Sequence, residues 1–394
     1  MKTLHYILFS LIFFTACTTS SIDGETIDMS NTTSDRTLNL SAIYDTIEYI
    51  KLETTQECVI GSIKKILPYS NRLYILDDMY SNIFVFDNNG HYLNSIGKKG
   101  TGPDEYIFID DICIDNITER LFVLDNSQNR IQVYNLEGNF ITSVKIEYSI
   151  GEIEYLKNNR ILCYNDFKSV HALEKNNSRP LLTIIDIDKG KTVWSDEFIS
   201  FNIEGQEVIS PFSATSTNTE ETQVFNILTS SIYNIDQTGI KQKFILDFGE
   251  KDRNNRIKHC ETLNDKELTA YDVCTDCKFS PQYTMITSVF KERDFIFITA
   301  VNYLEGKQCF IKYDTLNQTQ IYAKGISLFN NDIDYGLPFI PPISMFNGKS
   351  YGFIDAYSFH EVFINNTAND KLREMARNTT EEDNPIIFVA KLKL

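Results

Sequence analysis

A near-repeat of 48 residues constrains this chain more than any other feature. The segment RLYILDDMYSNIFVFDNNG, residues 72–90, returns as RLFVLDNSQNRIQVYNLEG, residues 120–138. Leu73 maps to Leu121, Asp77 to Asp125, Ile83 to Ile131 and Gly90 to Gly138, each 48 positions on. Within each copy the apolar residues alternate, as in half-buried strands, and Gly-containing turns bound them. A period of this size with several strands per unit is the mark of propeller blades, since one blade cannot bury its sheet faces alone and must stack on its neighbours.

Degenerate copies continue along the chain. TIIDIDKG ends at Gly190 and IYNIDQTG at Gly239; a fifth unit contains residues 294–317, and a sixth starts near Pro341 and ends in PIIFVAKLKL. The 349 residues from Thr46 to Leu394, less two non-repeating stretches at 249–281 and 365–384, divide into six units of about 49. Five or seven units would be about 59 or 42 residues long, further from the observed period. The expected fold is therefore all-β: a six-bladed β-propeller over residues 46–394, with four-stranded antiparallel blades. In blade 2 the strands are expected at Asp111–Asp115, Arg120–Leu124, Arg130–Asn135 and Phe140–Ile146. Ring closure is expected to pair Ile47–Leu52 with the C-terminal strand, which removes the exposed edges.

The first sixteen residues read as a signal peptide: Lys2, then an apolar run from Tyr6 to Phe14 that is too short to span a bilayer. The run ends in FTAC, which resembles the lipobox of bacterial lipoproteins, and that resemblance implies acylation of Cys17. Residues 17–45 are polar, rich in Ser, Thr and Asp and without periodicity, so they are expected to form a flexible tether.

The junction after blade 1, GKKGTGPDEY (97–106), together with LDNSQNRIQVYN (124–135) and NPIIFVAKLKL (384–394), resembles the six-bladed NHL-like or TolB-like propeller lipoproteins of Bacteroidota-type bacteria. The resemblance implies the fold and an outer-membrane location, on the periplasmic face or the cell surface. It implies no activity. Asp104, Glu105 and Tyr106 enter an inner strand near the central channel and are the candidate ligand-binding residues; the simpler reading of the same residues is that they cap and staple their loop. In DNSQNR, Asp125 and Asn126 are expected to bond turn amides and Arg130 to pair with a neighbouring carboxylate.

A net charge of −17 argues against nucleic acid as a partner. Acylation would leave seven of the eight cysteines. Cys113, Cys163 and Cys309 lie in apolar strand patterns, where a thiol behaves as a small hydrophobe. Cys260, Cys274 and Cys277 lie in a polar segment and are the disulfide candidates, pairing Cys260 with Cys274 or Cys277. Cys274-Thr-Asp-Cys277 lacks the second pair that a zinc site needs, and the histidines form no ligand grouping, so neither metal nor cofactor is expected. The 249–281 stretch is expected to project as a partly helical lid through NDKELTAYDV, on the same face as the GKKGTGPDEY loop. In the 366–378 stretch, Ala368, Leu372, Met375 and Ala376 share one helical face, expected to pack on the propeller. These features suggest a monomeric envelope module that binds a glycan, a peptide or another envelope protein, touching the membrane only through its lipid. The rival is a lyase or hydrolase at the channel mouth, assisted by a cation.

Overall fold

The computed structural model describes residues 24–32, 34–164, 182–196, 200–203, 206–209, 212–215, 222–226, 230–264, 283–302, 305–336, 342–366 and 369–394. Six blades follow one another around a ring. Blade 1 comprises Ile63–Tyr69, Arg72–Asp77, Asn82–Asp87 and Tyr92–Ser95; blade 2 comprises Asp111–Asp115, Arg120–Asp125, Arg130–Asn135 and Phe140–Lys145. The second set matches the strands expected from the sequence to within one residue at each end. Blades 3, 4 and 5 begin at Glu152, Phe212 and Thr284 and repeat the same antiparallel order.

Blade 6 closes the ring. Its three inner strands, Ser344–Phe346, Lys349–Ile354 and Ile386–Leu392, take their outer neighbour from the other end of the chain, Tyr44–Lys51. Ile50 pairs with Ile387 and Ile47 with Ala390, so the ends of the propeller share one sheet, as expected. The hairpin glycine of blade 1 shows how tightly neighbouring blades meet. Gly90 has φ +86°, and a Cβ there would lie 2.1 Å from the Lys51 carbonyl oxygen on blade 6, so only glycine fits.

The core lies between blades rather than within them. One cluster joins Tyr74, Leu76, Ile83 and Val85 of blade 1 to Ile112, Ile114, Leu121 and Val123 of blade 2. Another joins Phe122 and Ile131 of blade 2 to Ile153, Ile161 and Cys163 of blade 3. Cys58, Cys113, Cys163 and Cys309 are buried free thiols, and burial pushes the Cys309 thiol up to about 12. As expected for the three strand cysteines, these are packing residues.

The tether expectation fails over much of its length. Gly24–Asp28 is a strand, added in parallel to the outer strand of blade 4, Gly239–Asp247. Ile27 and Met29 are 1% exposed and fill the groove between blades 4 and 5. The chain then crosses blade 5, where Arg36 bridges Lys324, and Leu38–Asn39 pairs with Phe329–Asn330 before entering blade 6. Ile27 and Met29 are the apolar side chains of this polar stretch that fill the groove between the sheets, and the strand pairing holds the rest. Cys17 and the signal peptide lie outside the described residues.

The insertions also differ in detail. A helix forms at Glu250–Asn264, ahead of the NDKELTAYDV segment, most of which lies outside the described residues. Cys274 and Cys277 lie outside them too, as does the side chain of Cys260. The insertion of blade 6 starts about ten residues earlier than expected. A first helix, Ala356–Phe363, is capped by Asp355 and buries Phe359 and Phe363. A second, Asp370–Arg377, is capped by Asn369 and buries Leu372 and Ala376 against the propeller. Ala368 lies outside the described residues.

Candidate site at the channel mouth of blades 1 to 3

In each blade the strands alternate direction from the channel outward. Connections from an outer strand to the next inner strand therefore open on the same face of the ring as those between second and third strands. This site face carries residues 96–110, the hairpin Ser200–Ile203/Gln206–Ile209, the Glu250–Asn264 helix and both helices of blade 6. The opposite face has tight turns, as at Asn88–Gly90 and Glu137–Gly138. The GKKGTGPDEY loop and the described part of the insertion, the Glu250–Asn264 helix, thus share a face.

Alternation along the third strand of blade 2 decides what the GKKGTGPDEY loop does. Arg130, Gln132 and Tyr134 point the same way and meet its carbonyl oxygens. Arg130 donates to Pro103 at 3.1 Å and to Gly102 at 2.8 Å, Gln132 to Glu105 at 2.7 Å and Tyr134 to Asp104 at 2.9 Å. Arg130 is thus occupied by main-chain carbonyls and the Gln128 side-chain carbonyl, not by the neighbouring carboxylate expected from the sequence. Asp125 is fully buried and accepts from the amides of Ile107 and Gln128, while Asn126 exchanges two hydrogen bonds with the backbone of Ile150.

The three candidate ligand-binding residues separate accordingly. Glu105 turns its carboxylate back onto the Gly102 amide at 2.9 Å. A Cβ at Gly100 would lie 2.0 Å from that carboxylate, so a side chain there would displace Glu105 from the Gly102 amide. Tyr106 is 3% exposed in the core between blades 1 and 2, and burial raises its hydroxyl to about 12. Asp104 alone presents its side chain to solvent.

Two features beside this loop were not anticipated. The first is a charged cluster in the throat. A β-bulge between Ile63 and Lys65 re-aims Lys65. Its ammonium lies 3.1 Å from Asp111 of blade 2, and 2.7 Å from Glu154 and 3.4 Å from the Ile153 carbonyl of blade 3. A blade 1 side chain can reach blade 3 only across the channel mouth. Burial opposes the Lys65 charge, but Asp111 and Glu154 outweigh it and hold its pKa above the ordinary lysine value. Glu152, hydrogen-bonded by the Tyr164 hydroxyl, has its carboxyl pushed up to about 8 by burial and then by Asp111. Among the described residues, no group of three His, Cys, Asp or Glu side chains could hold a metal ion. A signal for the cluster existed in the sequence. The inner strands KKIL, DICID and EIEYL carry charge where alternation alone would place packing residues.

The second feature is an apolar rim. Val59, Met79, Tyr80, Ile107 and Phe108 are each 41–61% exposed and come from three successive loops of the site face. Their loops touch. A Cβ on Gly61 would meet Met79 Sδ at 2.7 Å and the Tyr80 ring at 2.8 Å, Lys99 donates to the Tyr80 carbonyl, and the Ile109 amide donates to Ser81 at 2.6 Å. Clustered Met and aromatic exposure is a common feature of interaction surfaces. A separate open groove of about 600 Å³ runs along the closing strand on the outer rim of blade 6, past Tyr49, Lys51 and Met375. Its Lys51 is already engaged by Asp383 and the Asn378 carbonyl, and it does not communicate with the throat cluster.

Residues 24–391 match the family model described as a domain of unknown function, DUF4934. The fold is similar to that of two crystal structures. One is of an exported protein of Bacteroides fragilis, with TM-score 0.69 and 21% identity over 94% of this chain and all of the other. The second is of a member of the duf4221 family from Bacteroides vulgatus, with TM-score 0.52 and 12% identity over 89% and 97% of the two chains. At these identities the likeness concerns the fold alone. No curated protein sequence matches the chain.

Proposed function

Because the chain belongs to the DUF4934 family, whose description assigns no activity, we propose a function from the site itself: a binding or scaffolding module of the cell envelope that engages a peptide segment of a partner at the channel mouth of blades 1 and 2. The observation that carries this reading is the exposed Val59, Met79, Tyr80, Ile107 and Phe108 rim beside a throat of fixed charges. Large, adaptable apolar side chains around a polar centre suit partner side chains better than they suit a polyhydroxylated sugar. Asp104 supplies polar rim, while Glu105 and Tyr106 hold the loop in shape. The NHL-like or TolB-like character and the lipid anchor at Cys17 belong to the same reading, which is supported by FTAC and by the exported relative.

The test screens the purified mature chain against a random-peptide display library and a glycan array, alongside a Met79→Ser/Phe108→Ser variant. Peptides that bind wild type and fail on the variant support the reading. Glycan binding indifferent to both substitutions overturns it.

One observation favours the enzymatic rival. Glu152, raised to about 8 and bonded by Tyr164, offers a proton at neutral pH in the throat. A lyase or hydrolase built on it would lose turnover in Glu152→Gln while still binding substrate.

A further inference from the structure

The N-terminal belt fixes where a lipid on Cys17 could hold the ring. Gly24 pairs with Lys243 and Asp28 with Asp247, so the added strand runs toward the site face. Gly24 is therefore the end of the added strand nearer the tight-turn face, on the outer edge of blade 4. Seven peptide steps separate Cys17 from Gly24, a reach of about 25 Å at full extension.

That leash suffices for a bilayer lying against the blade 4 edge or the tight-turn face. A bilayer against the site face would demand a reversal at Gly24. The chain would then retrace about 13 Å to the level of Asp28. It would next have to clear the Glu250–Asn264 helix on that face, about 10 Å thick with its side chains. The whole leash would be consumed before any lipid was reached. Blade 4 also stands diametrically opposite blade 1 in a ring of six, so the apolar rim is the sector of the molecule farthest from the anchor.

We infer that the bilayer lies beside the outer edge of blades 3 and 4, with the channel mouth of blades 1 and 2 turned away from it. The inference rests on the proposed acylation of Cys17. The surface nearest the anchor suits a lipid interface. The outer strand of blade 3 exposes Val193 and leaves Trp194 partly buried, packed on the core between blades 3 and 4 with an edge toward solvent. The indole stands against blade 4, since a Cβ on Gly239 would lie 2.8 Å from its Nε1. Tryptophan is the side chain most at home where apolar and wet environments meet. The apolar rim, by contrast, is left free for a partner in solution or on another envelope protein.

Trp194 is the chain's one tryptophan, which makes the orientation measurable in the full-length acylated protein. Emission is compared in vesicles of brominated and unbrominated phosphatidylcholine for wild type and for Trp194→Phe/Tyr80→Trp, which moves the indole to the apolar rim. Vesicle flotation and the mass of the N-terminal peptide report the anchor separately. The expected result is that floated wild type loses most of its emission to brominated lipid and the relocated indole loses little. Floated protein with the relocated indole quenched as strongly as Trp194, or with Trp194 unquenched, overturns the orientation and leaves the anchor standing. A chain that carries no lipid on Cys17 and does not float overturns the anchor and the orientation together.

Discussion

Blades 1 and 2 on one side of the ring, and blades 4 to 6 on the other, are fastened to their neighbours in different ways. At the first seam the fastening is local. Arg130, Gln132 and Tyr134 hold carbonyls within about thirty residues upstream, in the loop that follows blade 1 in the sequence. At the other seams the fastening comes from the far end of the chain. Tyr313 donates to Glu25 at 2.6 Å, Gln320 to the Asp28 carbonyl at 2.7 Å and Ser41 to Asp332 at 2.6 Å, each across nearly 300 positions. A local staple fixes the shape of one loop, which is what a recognition surface needs. A belt adds cohesion over three blades at once, and it sets the chain's N-terminal end on one edge of the disc.

The comparison breaks most severely if the ring itself is opened. Deleting Pro385–Leu394 removes the strand that joins both halves of blade 6. That strips Ile386, Ile387 and Val389 from the core and exposes two sheet edges. The loss should exceed the whole stability of a typical domain, about 5–15 kcal/mol. The truncated chain should show no cooperative melting transition.

Loss of the belt should be smaller and confined to its own side. Ile27→Ala empties a fully packed site between blades 4 and 5 and should cost about 2–4 kcal/mol in denaturant unfolding. Hydrogen exchange should speed up in blades 4 and 5 before it changes in blades 1 and 2. Uniform loosening of all six blades would show that the belt is not a regional device.

The local staple should cost less still. Arg130→Leu leaves the Gly102 and Pro103 carbonyls without their donor and should lower stability by about 1–3 kcal/mol. Exchange at residues 98–106 should rise while blades 4 to 6 stay protected. A separate effect concerns pH. The Glu152 carboxyl is raised from 4.5 to about 8 in the folded chain, so folding takes up a proton between those values. Stability should therefore fall as pH rises from about 4.5 to about 8 and level off above. Glu152→Gln should flatten that slope, as measured by the melting temperature across the pH series.

The two seams also explain how much of the molecule was legible in its sequence. The six blades, the four strands of blade 2 and the closure by the two chain ends followed from a period and an alternation, both of which are local patterns. The belt was not legible, because Ile27 and Met29 form no repeat and their partners lie in blades 4 and 5. Arg130 was misassigned for a related reason. Most of its partners are main-chain carbonyls, which leave no mark in a sequence, whereas a carboxylate partner would. Asp104 to Tyr106 marked the right junction, yet Tyr106 falls in the inter-blade core. The exposed apolar pair of that loop is the next dipeptide, Ile107-Phe108, and in a linear reading these look like the start of a buried strand. The throat cluster needed three blades to be brought together before its charges could be seen as neighbours.

The central claim, that the mouth of blades 1 and 2 is the recognition surface, is tested most directly by photo-crosslinking in intact cells. A photo-reactive phenylalanine analogue is placed at Phe108 in one strain and at Ile117 in another. Ile117 is 64% exposed, in a tight turn of the opposite face, and so controls for apolar exposure alone. The account predicts a discrete crosslinked product from position 108 and none from position 117, with the product lost when Met79→Ser is added. A product from position 117 alone, or one from position 108 that survives Met79→Ser unchanged, would contradict it.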